Sequence, residues 1–237
     1  MRRGLAAFVI VLAACAGGDH PETVATTTTA TTTSTTATTS DDRAPALTPE
    51  GTPLGPPGVG AAPRTPDPAL GCAGLAAAGS HTESCAAAGA FTALVERADG
   101  SGALIAWVFE DAGGVETPVL SAVGQDEWAT VTTGTVDLDD DGGDELLFGF
   151  RTMGTGDYLS IDIVSGGAVV AHVAELAQGS AQFVAGRLDT WSAVYGPDDP
   201  NCCPSSILHQ SIEYSGNGYR VVAAESLPPD AGQPSQL

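Results

Sequence analysis

The feature that most constrains this chain is a rhythm of short apolar, β-branched runs punctuated by turn residues, from Phe91 to Ala223. Runs of this kind at a spacing of roughly 8 to 12 residues are the mark of an all-β or mostly β domain. The pattern predicts strands over 91–97, 103–110, 115–123 and 128–136 on one side of an acidic run. Beyond it the pattern predicts strands over 145–151, 158–164, 169–176, 182–184, 190–195, 207–214 and 219–223. Two pairs read as hairpins, one closed by Asp99-Gly100-Ser101-Gly102 and one by Ser215-Gly216-Asn217-Gly218. An Ala-rich stretch over 83–95 also reads as a short helix and competes with the first strand. The expectation is one antiparallel β-rich domain over 70–227. Sandwich, barrel and propeller-like fragment all fit such a series, and the strand order is not legible.

The acidic run lies inside this series. Six of the nine residues from Asp137 to Glu145 are carboxylic acids, with strand-like sequence on both sides. Like charges packed into one loop repel each other and favour an open chain unless a cation neutralises them. Calcium takes oxygen ligands from loop positions 1, 3, 5 and 7, with Gly at 6 for the sharp turn. Those positions are Asp137, Asp139, Asp141, the carbonyl of Gly143, and Gly142, with Glu145 at position 9 as a closing carboxylate. A solvated acidic turn is the alternative. An EF-hand fits less well, because its position 12 requires a bidentate Glu and the residue here is Phe148.

The D-x-D-x-D-G-x-x-[DE] pattern of Asp137 to Glu145 resembles the calcium loop of FG-GAP/VCBS-type repeats. The resemblance covers about twenty residues in one copy. It implies a loop joining two strands and a structural Ca2+ held by Asp137, Asp139, Asp141, Gly143 and Glu145.

The N-terminal part reads as an export and anchoring device. Arg2 and Arg3 precede an apolar run from Leu5 to Ala14 that ends Leu12-Ala13-Ala14-Cys15. About ten apolar residues are too few to span a bilayer, which takes about 20. A basic start, a short apolar core and small residues at its end describe a signal peptide over 1–14. The closing Cys15 resembles the lipobox of bacterial lipoproteins, which implies acylation of that cysteine and a lipid anchor. Residues 15–69 then read as a tether. Thr, Ala and Ser dominate 23–40, and eight prolines fall in 45–68. Neither composition can bury enough apolar surface to offset its chain entropy. Residues 228–237 read as a flexible tail.

With Cys15 set aside, Cys72, Cys85, Cys202 and Cys203 remain, and an even set in an exported protein reads as disulfides. Local closure of Cys72 with Cys85 leaves Cys202 and Cys203 as a vicinal disulfide or as free thiols. The alternative ties the start of the domain to its late loop through two bridges. A zinc site on Cys72, His81 and Cys85 lacks the usual C-x-x-C element. The stretch Asp198-Asp199-Pro200-Asn201-Cys202-Cys203-Pro204-Ser205, with the strand after it and the ending Leu227-Pro228-Pro229, resembles the LppP/LprE-type lipoproteins of actinobacteria. That resemblance implies a lipid-anchored surface protein on the outer face of the cytoplasmic membrane and supplies no catalytic residues.

Charge and motif searches narrow the function classes. The net charge is −21 and the chain has no lysine. Such a surface repels nucleic acid and anionic headgroups, although adaptation to salt would give the same composition. Ser205 and Ser206 precede His209 outside any nucleophile elbow, and no G-x-S-x-G occurs. His81, His172 and His209 are isolated in sequence. Asp198, Asp199 and Asn201 read as a second cation site or as a polar turn before proline. Trp107, Trp128 and Trp191 fall in predicted strands, where core packing is the default and a glycan-stacking face requires exposure. Two functions follow: a non-enzymatic envelope module binding a wall polymer or surface protein, or an envelope hydrolase or thiol-redox enzyme centred near Cys202 and Cys203.

Overall fold

A computed structural model describes residues 47–48, 54–55, 72, 81–98, 101–124, 128–184, 186–216 and 218–234. All of them belong to one compact unit, Asp42–Leu237. The strands in chain order are β1 Leu47–Thr48, β2 Thr82–Ala88, β3 Phe91–Arg97, β4 Leu104–Asp111 and β5 Glu116–Gly124. There follow β6 Trp128–Val136, β7 Glu145–Thr152, β8 Leu159–Ser165 and β9 Ala168–Leu176. The last four are β10 Ser180–Val184, β11 Arg187–Val194, β12 Ser206–Tyr214 and β13 Tyr219–Leu227. The mostly β, antiparallel expectation holds. Three consecutive meanders form three sheets, ordered β2-β3-β4-β5, β1-β9-β8-β7-β6 and β10-β11-β12-β13. Among the described residues no helix is long and apolar enough to cross a membrane.

Alternation of side chains along each strand explains how the sheets are cemented. In β4, Leu104, Ala106 and Val108 join Leu146, Phe148 and Phe150 of β7 in a first core. The alternate residues Ile105, Trp107 and Phe109 face the other way and pack with Leu94 and Cys85. A further core joins Leu147, Leu159, Ile161 and Ile163 of the middle sheet to Leu188 and Ile212 of the last. The middle sheet therefore carries apolar side chains on both faces, and this is why β7 reads as a nearly continuous apolar run.

Three features of the structure bear on the sequence reading. The strand expected over 91–97 is β3, and the competing helix over 83–95 does not form, because 83–88 lie in β2. Although alanine favours helices, β2 pairs with β3 and crosses onto β6. There the Ser84 hydroxyl meets that of Thr133 at 2.6 Å and accepts the Thr133 amide at 2.9 Å. Secondly, part of the segment read as tether lies on the domain. Leu47 and Thr48 pair with Val173 and His172 of β9, and Leu54 is buried in the first core. Gly55 rests on the Phe150 ring, where a Cβ would come within 2.8 Å. Thirdly, the tail folds back through Pro228 to Gln233, which accepts a hydrogen bond from the Ser180 hydroxyl at 3.3 Å. The signal-like segment 1–14, Cys15 and most of the tether lie outside the described residues.

Candidate functional site

The acidic loop connects the first two strands of the middle sheet. Val136 and Glu145 are register partners, so the loop starts and ends at one rung of the ladder, and Asp137 leaves β6 beside Glu145. Leu138 is 1% exposed and sits in the core between the middle and last sheets. Its amide donates to Glu145 Oε2 at 2.8 Å. One buried leucine and one buried carboxylate thus fix the base of an otherwise exposed loop.

Backbone amides organise the rest. Asp139 Oδ1 accepts the Asp141 amide at 3.2 Å, Asp137 Oδ2 the Gly142 amide at 3.1 Å, and Asp141 Oδ1 the Gly143 amide at 2.7 Å. The tight path requires left-handed backbone at Asp140 (φ 60°) and at Gly142 (φ 89°), and glycine adopts that conformation without a steric penalty.

Carboxylate oxygens of Asp137, Asp139 and Glu145 lie within 4.8 Å of one another. Two ligands on one calcium, each at 2.3–2.6 Å, can stand at most about 5 Å apart, so one ion can touch all three. Asp137 Oδ1 is buried and has no hydrogen-bond partner in the protein. A buried acceptor without a partner is costly, and a cation would supply one. Burial pushes the Glu145 carboxyl above its usual range, with the Leu138 amide opposing and Asp139, Asp141 and Asp137 adding to the rise. Tyr219, packed against the same core, is raised by burial and then by Glu145, Asp139 and Asp141. Of the four expected carboxylate ligands, Asp137, Asp139 and Glu145 converge, whereas Asp141 is exposed outside the triplet with Oδ1 on the Gly143 amide.

Elsewhere the cysteines resolve one way. Cys72 and Cys85 are joined, with Cα atoms 5.7 Å apart. This closes the local pairing and leaves no zinc site on those sulfurs. Cys202 and Cys203 are exposed free thiols, so the two-bridge alternative is not formed. Asp199 Oδ2 accepts the Gly196 amide at 2.6 Å and the Ser205 hydroxyl, which makes the 196–205 stretch a braced turn. Trp107 and Trp128 are buried. Trp191 stacks on His209 at 4.7 Å, and His209 Nδ1 lies 2.9 Å from Glu225 Oε1.

One buried polar cluster escaped the sequence reading. Asp162, wholly buried, pairs with His172 on the adjacent strand and accepts the Gly55 amide. Burial raises its pKa, against the opposing effects of the His172 hydrogen bond and charge and of the Gly55 amide. The available signal was one ionisable residue within each of two largely apolar strands, Leu-Ser-Ile-Asp-Ile-Val and Val-Val-Ala-His-Val.

The class defined by fold and site is therefore an all-antiparallel domain of three meander sheets, with an acidic loop between the first two strands of the middle one. Compared with protein-family models, curated proteins and solved structures, the chain matches none.

Proposed function

We propose that this protein is a lipid-anchored domain of the cell envelope whose β fold is held by one structural calcium ion. The observation that carries the reading is the convergence of Asp137, Asp139 and Glu145, with a buried Asp137 oxygen lacking any protein partner. Calcium stiffens the β6–β7 connection and thereby the middle sheet to which both neighbours attach. The lipobox-like ending at Cys15 supports acylation at that residue and placement on the outer face of the cytoplasmic membrane. The domain then acts as a non-enzymatic binding or structural module, with a wall polymer or a surface protein as its partner. Its acidity disfavours nucleic acid.

The test is a thermal melt of the whole chain in excess calcium and then in chelator. Binding to the folded state alone at about 100 times Kd adds about 2.7 kcal/mol, which is about 5 to 11 °C for a domain of this size. The shift should vanish when Asp137 and Asp139 are both replaced by Asn. An equal melting temperature with calcium at 10 mM, well above the about 10⁻⁴–10⁻³ M range of extracellular modules, rejects the site. The anchor is tested separately by membrane fractionation, where Cys15→Ser should release the protein.

A further inference from the structure

The Cys202-Cys203 pair plays no part in the calcium reading. Its Sγ atoms stand 2.7 Å apart, about 0.7 Å more than the length of a sulfur–sulfur bond, and both residues are exposed. The other cysteine pair in the domain is already a disulfide. We propose that Cys202 and Cys203 are a reversible modification site, exchanging between dithiol and vicinal disulfide with an organic disulfide, and that closure reshapes the cleft beside them.

Two features favour a labile pair over a permanent staple. Adjacent Cα atoms are about 3.8 Å apart across a trans peptide, less than the usual disulfide span of about 4.4–6.8 Å. All described peptides here are trans, so a closed pair carries strain and is easily reduced. Exposure of both sulfurs leaves them open to an exchange partner. The Cys203 thiol is raised, chiefly by its hydrogen bond with Cys202. The Cys202 thiolate displaces one thiolate from the organic disulfide and forms a mixed disulfide. Cys203 then loses its proton to water and attacks the Cys202 sulfur, expelling the second thiolate. Two protein thiols are oxidised, and one disulfide is reduced to two thiols.

The link to the cleft runs through Asn201. Its carbonyl accepts the Tyr195 hydroxyl at 2.9 Å and the Gln178 side-chain amide at 3.1 Å, while the Cys203 amide donates to Pro200 at 2.9 Å. Asn201, Tyr195, Tyr158 and Met153 line a cleft of about 460 Å³. A ring closed at 202–203 rotates the peptide next to Asn201 and moves this rim.

The experiment is alkylation of the full chain across a series of glutathione buffers, read by mass spectrometry of tryptic peptides. Cleavage after Arg187 and Arg220 puts both thiols on one peptide, apart from Cys72 and Cys85. The expected result is two labels on this peptide in reducing buffers and none in oxidising ones, the unlabelled form lighter by two hydrogens. The change should come at glutathione ratios that leave Cys72–Cys85 intact. Cys203→Ser should instead retain a glutathione adduct on Cys202. Amide exchange at 195–203 should differ between the two forms of the natural protein and not change with buffer when Cys202 and Cys203 are both replaced by Ser. Two labels in every buffer, or disulfide-linked dimers in place of the light peptide, overturn the site. Identical exchange in the two forms overturns the coupling to the cleft.

Discussion

The amide of Leu138 donates to the carboxylate of Glu145 across 2.8 Å, so the residue that plugs the core and the residue that closes the acidic loop hold each other. The position of three carboxylates thereby depends on apolar packing. It also makes Glu145 the one loop acid that is buried, set against Asp137, Asp139 and Asp141 by charge.

We predict that Glu145→Gln separates the cost of this charge from its use. The amide oxygen of glutamine can still accept the Leu138 amide, while a buried carboxylate and its repulsions disappear. In chelator the variant should melt at or above the natural protein's temperature. In excess calcium it should lose most of the increment, rising by less than about 2 °C against about 5 to 11 °C. Scanning calorimetry in both conditions checks this, and a variant that melts lower in chelator would show that Glu145 is needed for shape alone.

Leu138→Ala should destabilise the domain by about 2–5 kcal/mol, the usual range for a buried leucine truncated to alanine. The same change should weaken calcium binding, because the loop base is no longer pinned. Urea unfolding gives the first quantity and calcium titration the second. Unchanged affinity in a destabilised variant would detach the loop from the core.

Asp162 sets a pH dependence. Its folded pKa is raised above the unfolded value of about 3.9. The proton-linked stability is therefore fully present below that value and is lost as pH rises through the folded pKa. Asp162→Asn lacks this titration. In chelator, the melting temperature of the natural protein minus that of the variant should be largest below about pH 4 and shrink toward neutrality. A difference that widens with pH would mean that the pairing with His172 outweighs the burial.

Replacing Cys72 and Cys85 together by Ala should cost about 3 kcal/mol, the chain-entropy value for a loop of this size. The two lie 13 residues apart in sequence, and Cys85 packs on the outer face of the first sheet. Free energies of urea unfolding, each from its own midpoint and m-value, check the size of the effect, and a loss under about 1 kcal/mol, far below the chain-entropy value, would mean that packing alone holds the segment.

Local chemistry carried much of this protein in legible form. The β-branched run at Trp128–Val136 and the apolar run at Glu145–Thr152 announce strands because short stretches of such residues bounded by turn residues fit a pleated, buried surface. The Asp-x-Asp-x-Asp-Gly spacing announces a tight oxygen-lined loop because only glycine enters the left-handed region freely at position 6. What the spacing could not reveal is which carboxylates converge. That depends on the Val136–Glu145 rung and on Leu138 entering the core, which bring in Glu145 and leave Asp141 outside. The Ala-rich strand β2 was hidden for a related reason. Its alanines favour a helix locally, and only pairing with β3, the Ser84–Thr133 contact and the bond to Cys72 make it extended. The Asp162–His172 pair and the docking of Leu54 were likewise decided by tertiary structure. Sequence determines what each short segment can do by its own sterics and charge. Contacts between residues tens of positions apart depend on the order and stacking of the sheets, which no short segment encodes.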